Sequence, residues 1–330
     1  MIREAYYQGS LYVPLVQAAY ESWRDLETRS GRTLLTSTGG LMIGPPEGRV
    51  FAGCLDSARE HALDYEVLSP TEVRTRYPAF HMAEGTLAVL EPTAGILDLD
   101  ACLEASLAIA TETGADLRFD EPVDAWTVEG GVVRVSTDAG EYRARRLVLA
   151  AGAWTPGLSG GLDLPLEVER TIQFWFEPRG AEAASRLDPP CPVWVWEYEN
   201  QEEWYGFPLS SGAVKAGIHL KTGRTTNAET VDRAVSDDEK TTMRELVSRF
   251  MPDAGGPCVG ADVCMYTSTP DRRFVLDRHP RHPEVALFTG GSGHAFKFAR
   301  VLGEVLANLA TDTAPGYELS AFRASRFTGA

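Results

Sequence analysis

The feature that most limits the fold lies near the C-terminal end. Val285, Ala286, Leu287 and Phe288 form an apolar run that predicts a buried strand. Gly290-Gly291-Ser292-Gly293-His294 follows at once, and Phe298, Val301, Leu302, Val305, Leu306 and Leu309 then recur at helical spacing. Strand, glycine turn and helix leave several backbone N–H groups aimed at one point, where they and the helix dipole favour an anionic or electron-rich group. Lys297 stands in the predicted first helical turn, against that dipole, which suggests a second anion beside it. A plainer reading stays open here: a glycine-rich loop ending a strand, with a solvated lysine behind it.

Composition narrows the class. With 330 residues, 44% hydrophobic and 24% charged, the chain predicts a soluble protein of two closely packed subdomains. Lys+Arg 31 against Asp+Glu 47 gives a net charge of −16, which argues against nucleic acid or an anionic membrane as partner. It leaves room for a local basic pocket. No apolar run reaches membrane-spanning length, and residues 1–5 are no signal peptide. Cys54, Cys102, Cys191, Cys258 and Cys264 form no C-x-x-C pair, so the expectation is a cytoplasmic protein with neither a disulfide framework nor a zinc site.

In chain order, Val13, Val16, Ala19, Tyr20, Trp23 and Leu26 predict one face of a helix starting at Leu11. Short strands over 33–43 and a helix over 50–62 follow. Ser69-Pro70-Thr71-Glu72 is a capping box opening a short helix, and Asp98 or Asp100 caps another over 101–113. Strands are expected near 87–90 and 117–119, with a hairpin over 123–128 and 132–136. A buried strand from Arg146 then runs into the small-residue turn Ala151-Gly152-Ala153-Trp154, where backbone could approach a cofactor closely. Between 164 and 219, strands crowded with Trp, Tyr and Phe predict an antiparallel sheet. The fold class is α/β (α+β), divided as 1–68, 69–160, 161–255 and 256–330, with the aromatic sheet inserted between parts of the α/β region.

Three polar groups interrupt apolar strands. Lys215 and His219, four apart, point to one face of their strand, and Tyr205 lies on the strand before it. Either this face serves a site or it is simply solvated. Cys264, in Val263-Cys264-Met265-Tyr266-Thr267, is either a small core residue or a thiolate facing an electrophile. His279-Pro280-Arg281-His282 reads as a turn lacking further ligands for a metal. No G-x-G-x-x-G occurs anywhere in the chain.

Several stretches, in order, resemble the monomeric sarcosine oxidase and N-methyltryptophan oxidase group of flavoenzymes, within the D-amino-acid-oxidase-like superfamily. They are Arg3-Glu4-Ala5-Tyr6, Tyr12-Val13-Pro14-Leu15, Glu91-Pro92-Thr93-Ala94-Gly95-Ile96-Leu97, Gly152-Ala153-Trp154, Tyr205-Gly206-Phe207-Pro208, Lys215-Ala216-Gly217-Ile218-His219, Cys264-Met265-Tyr266-Thr267 and Ser292-Gly293-His294-Ala295-Phe296-Lys297. The resemblance implies FAD, held through a thioether to Cys264, and an O2-linked oxidation of a secondary amine such as an N-methyl amino acid. A hydride equivalent would leave the N-methyl group for flavin N5, the iminium would hydrolyse, and O2 would become hydrogen peroxide. It further implies that Lys297 and Arg3 clamp the substrate carboxylate, and that Lys215 promotes reaction with oxygen. His219, Tyr205 and Tyr266 would position the amine. Val123, Ala151, Gly152, Trp154, the turn Gly291, Ser292, Gly293, His294 and also Lys297 would contact the flavin. The enzyme would be a monomer.

One departure stands out. Relatives open with a strand, the G-x-G-x-x-G turn, a helix and an acidic residue, a unit of roughly 30 residues. The expectation is therefore an FAD-binding Rossmann-like domain missing its first βαβ unit, plus the aromatic substrate-domain sheet. Either the start was assigned at an internal methionine, or the chain is a truncated, non-catalytic relative that binds a carboxylate ligand or a partner protein. Trp194, Trp196 and Trp204 could line a pocket for a large substrate side chain, or be core.

Overall fold

The computed structural model describes residues 1–219 and 225–328. The fold is mixed α/β, in two compact units, each discontinuous in sequence: 1–102, 171–222 and 232–264 form the first, and 103–170, 223–231 and 265–330 the second.

The first unit is built on one long sheet. Its strands run in the order Glu167–Phe176 (residues 171–176 of it), Ala213–His219, Glu203–Ser210, Val193–Glu197, Gly40–Gly44, Leu87–Glu91 and Glu66–Leu68. All these ladders are antiparallel except the one joining Val193–Glu197 to Gly40–Gly44. Register explains the aromatic crowding. Trp194 stands opposite Gly206, Trp196 opposite Trp204, Trp204 opposite Ile218 and Ala216 opposite Phe174, so these residues share one face by the two-residue pleat. On that face the three indoles pack with Phe80, Phe174, Phe176 and Phe250. Trp194, Trp196 and Trp204 are 0%, 1% and 0% exposed, so they are core and line no substrate pocket. Gly206 is obligatory beneath them: a Cβ there would lie 2.0 Å from the Trp194 ring.

The helices form where their sequences dictate. Val13–Ser30 buries Val13, Leu15, Val16, Ala19, Trp23 and Leu26 and ends on left-handed Gly31, while Leu11 belongs to a preceding 3-10 turn. The predicted capping box forms at Ser69–Glu72, and a second closes at Ser236–Glu239. Asp98 rather than Asp100 caps the helix Leu99–Glu112, accepting from Ala101 N–H at 3.0 Å.

The second unit holds two three-stranded sheets. One is the meander Val123–Glu129, Val132–Thr137 and Gly140–Ala144. In the other, His282–Thr289 pairs antiparallel with Val275–His279 and parallel with Leu147–Leu149. The helix Ala299–Ala310 packs on this second sheet, and its C-terminal carbonyls accept from two arginines, Leu309 O from Arg278 within a strand and Ala310 O from Arg146 just before one, both at 2.8 Å.

Two sequence expectations fail here. Residues 117–119 form no strand, because no ladder among the described residues takes up their backbone, and Phe119 is 69% exposed. The strand after Arg146 is short and only partly covered, with Val148 44% exposed; it is paired on one side among the described residues. The histidines at 279 and 282 face each other across a tight hairpin, their rings 4.9 Å apart. All five cysteines are free thiols, and no helix among the described residues is long and apolar enough to cross a membrane.

Candidate active site

On the face of the first unit's sheet opposite the tryptophans, the predicted polar residues come together. Lys215 is registered with Trp175 on one side and Phe207 on the other, and Gly217 with Tyr205. Lys215, Gly217 and His219 alternate on one strand and therefore share this face with Tyr205, Phe207 and Trp175. The Lys215 ammonium stands 5.2 Å from the Trp175 ring centre and 5.5 Å from that of Phe207, a cation–π enclosure. Burial pushes this ammonium below the usual lysine range, against an opposing pull from Cys264 and Asp262. The half-buried Cys264 thiol is raised by burial, and the Lys215 charge works to lower it. The Tyr205 ring lies edge-on to His219, 6.5 Å between centres.

Arg3 belongs to the same unit and is buried. Its guanidinium sits 4.5 and 4.6 Å from the Tyr6 and Tyr7 ring centres, and donates to Ala5 O and Gln8 Oε1, both at 2.7 Å. Tyr7 in turn donates its hydroxyl to Glu203 Oε2 at 2.5 Å, and Arg49 also pairs with that carboxylate. Glu203 stands opposite His219 in the sheet, so Arg3, Tyr7, Glu203 and His219 form a connected series. Tyr7 and Glu203 are neighbours of the candidate residues that the sequence does not announce. Neither belongs to a spaced motif, and a glutamate ending a strand reads as solvated until the pairing shows it 1% exposed.

In the second unit the glycine turn has the left-handed backbone its composition requires: φ is 67° at Gly290, 46° at Ser292 and 78° at Gly293. A Cβ on Gly293 would lie 2.4 Å from the Tyr266 ring, which closes the turn from below. Two of the amides expected to face an anion are used internally: Ser292 N–H bonds Thr267 O at 3.0 Å and His294 N–H bonds Gly291 O at 2.9 Å. The turn also leads into a 3-10 segment, Phe296–Phe298, before the helix Ala299–Ala310. Lys297 is therefore not in an α-helical first turn. It is buried, and its ammonium donates to His294 O at 2.8 Å, a carbonyl that offsets its position.

The remaining candidates, Val123, Ala151, Gly152 and Trp154, lie in this unit too. Val123 and Trp154 are 41% and 49% exposed, and the Trp154 indole N–H is held by Glu229 at 2.6 Å. The hydroxyls of Thr155 and Thr289 are buried without a hydrogen-bond partner among the described residues. Each adjoins a predicted flavin-contacting turn. Orphaned buried hydroxyls adjoining these turns fit a bound cofactor with polar surface.

The family model described as DAO, FAD dependent oxidoreductase, matches residues 1–309, and the chain belongs to that family. Among characterised relatives, the monomeric sarcosine oxidase of Streptomyces avermitilis is 36% identical over 332 residues, covering 99% of this chain and 86% of its own. The N-methyl-L-tryptophan oxidase of Citrobacter koseri is 30% identical over 331 residues, covering 99% and 87%. The L-proline dehydrogenase structure from P. horikoshii shares the fold, with a TM-score of 0.85 at 19% identity over 100% of this chain and 86% of its own.

Proposed function

We propose that this chain is an amine oxidase acting on a secondary amine that carries a carboxylate, sarcosine or another N-methyl amino acid, with O2 reduced to hydrogen peroxide. The observation that carries the reading is the sheet face on which Lys215, Tyr205 and His219 meet, with Cys264 close enough to interact with Lys215. The similarity to sarcosine and N-methyl-L-tryptophan oxidases supports it. Bound FAD supplies the two-electron acceptor and the link to oxygen.

The chain's own residues supply the rest. Arg3, rigid between two tyrosine rings, presents a planar cation suited to a carboxylate. Lys297 is assigned the same role by resemblance. Tyr205 and His219 offer a hydroxyl and a ring nitrogen to orient an amine so that its lone pair can assist C–H cleavage. Lys215, in its aromatic enclosure, provides a fixed positive charge that favours negative charge developing on oxygen. Cys264 is assigned as the thiol that would bind the cofactor covalently. Val123, Ala151, Gly152, Trp154, Gly291, Ser292, Gly293 and His294 are assigned to its contacts. Tyr266, packed beneath the glycine turn, would support that turn as well as border the amine. Five free thiols support a reducing, cytoplasmic setting.

The test is a peroxide-coupled assay of the flavin-loaded protein with sarcosine, N-methyl-L-tryptophan, pipecolate and a glycated amine. Peroxide formed from at least one, with flavin remaining on acid-precipitated protein and released in Cys264→Ala, is the expected result. No peroxide from any of them overturns the amine-oxidase reading. Flavin released from the unaltered protein overturns the thioether alone.

A further inference from the structure

Two motifs of the sequence, Arg3-Glu4-Ala5-Tyr6 and Glu91-Pro92-Thr93-Ala94-Gly95, prove to be the two halves of one device. The Glu91 side chain is 1% exposed. Its Oε1 accepts from Glu4 N–H at 2.7 Å and from the Thr93 hydroxyl at 3.0 Å, and its Oε2 accepts from Ala5 N–H at 2.7 Å. Immediately upstream, Ile2 and Gly95 exchange both backbone hydrogen bonds, Ile2 N–H to Gly95 O at 2.9 Å and Gly95 N–H to Ile2 O at 3.0 Å. Glycine is required at 95 because a Cβ there would lie 2.2 Å from Thr36 O. The backbone on both sides of Arg3 is thus fixed by the turn at 91–95.

That fixation reaches the guanidinium. Arg3 donates to the carbonyl of Ala5, the residue whose own amide is held by Glu91. We propose that Glu91 is the positioning residue for Arg3: its buried carboxylate sets the path of residues 3–5 and so the place from which Arg3 meets the substrate carboxylate. A carboxylate does this where an amide side chain would not, because it can accept from two successive backbone N–H groups and from Thr93 without presenting a hydrogen of its own. Burial pushes the Glu91 carboxyl above the usual carboxylate range, and these three donors and the nearby Arg3 charge counter that cost in part. The inference rests on the reading of Arg3 as the carboxylate anchor.

The test compares sarcosine with sarcosine methyl ester in the peroxide-coupled assay of the flavin-loaded protein, using Glu91→Gln, Thr93→Val and Arg3→Ala. In Glu91→Gln the preference for the free acid in kcat/KM should fall about tenfold, with kcat on the ester within about twofold of the parent. Thr93→Val, which removes one donor to Glu91 and is the less disruptive change, should shift the preference the same way by about two- to threefold. A purely structural role would lower flavin loading or both rates together and leave the acid-to-ester preference unmoved. If Arg3→Ala collapses that preference while Glu91→Gln and Thr93→Val leave it intact, the positioning role is overturned and the anchor reading stands. Should Glu91→Gln fail to load flavin, an unmoved preference in Thr93→Val overturns the role by itself. If Arg3→Ala leaves the preference intact, the anchor reading falls and takes this inference with it.

Discussion

The phenol of Tyr205 lies over Gly217, directly across the ladder, so closely that a Cβ at 217 would sit 2.8 Å from its hydroxyl oxygen and 2.9 Å from its ring. The same Cβ would also stand 3.2 Å from Ile172 O, which is backbone and cannot swing aside. Gly217 therefore leaves the space that the Tyr205 phenol occupies. Gly217→Ala should displace the phenol by the better part of an ångström, and kcat/KM for the amine should fall about tenfold to a hundredfold with flavin loading retained. Steady-state kinetics on the loaded variant checks it; unchanged kinetics would separate Tyr205 from the chemistry.

Lys215 carries a pH prediction. Burial lowers its pKa, so its positive charge is lost, as pH rises, earlier than for an ordinary lysine. If that charge promotes the oxygen reaction, reoxidation should slow on the alkaline side while amine oxidation under anaerobic conditions does not. Lys215→Met should slow reoxidation by about a hundredfold at neutral pH, the scale of one lost electrostatic contact to a developing charge. Stopped-flow mixing with oxygen separates the two half-reactions. An oxygen rate independent of both the substitution and pH would remove Lys215 from this role.

Periodicity and turn chemistry made much of this site legible in the sequence. Lys215 and His219 on one face follow from strand alternation, and the left-handed glycines follow from their composition. What alternation cannot reveal is which face of a sheet meets the core. Trp194, Trp196 and Trp204 look like a pocket lining in one dimension, and only strand register puts them opposite the polar face. Hidden for a related reason are Glu91 and Glu203, since burial of a carboxylate depends on donors 86 and 196 residues away. Backbone bonding within a turn is equally silent, which is why the amides of Ser292 and His294 were expected to be free and are not.

Glu203 is a buried acid that depends on few donors. Tyr7 and Arg49 are its two hydrogen-bond donors among the bonds resolved, and burial pushes its pKa up while both donors oppose that. Tyr7→Phe removes a charge-assisted bond and leaves the buried carboxylate under-satisfied, at a cost of about 1.5–3 kcal/mol. The expected result is a lower melting temperature together with weaker binding of a carboxylate substrate, because the Tyr7 ring also flanks Arg3. Calorimetry and KM measure the two effects. A melting temperature equal to that of the parent would show that the bond contributes nothing.

Three successive carbonyls after the Ala151–Trp154 turn are each held by a different side chain: Leu158 O by the Trp126 indole at 2.7 Å, Ser159 O by His279 Nε2 at 3.1 Å, and Gly160 O by Arg281 at 2.8 Å. His279 Nδ1 meets the Arg281 backbone N–H at 3.3 Å, so the geometry calls for a neutral ring protonated on Nε2 alone. Burial lowers the His279 pKa, and the adjacent His282 and Arg281 lower it further against the pull of Ser159 O. For a base whose folded pKa is depressed, the unfolded chain binds more protons in the window between the two values. Stability from this histidine is thus complete above its unfolded pKa of about 6.5 and is lost as pH falls toward the folded value. His279→Gln keeps a side-chain N–H donor but cannot titrate, so its melting temperature should decline less than the parent's between about pH 6.5 and 5. Parallel acid-side slopes in differential scanning calorimetry would show that His279 is not the group that titrates.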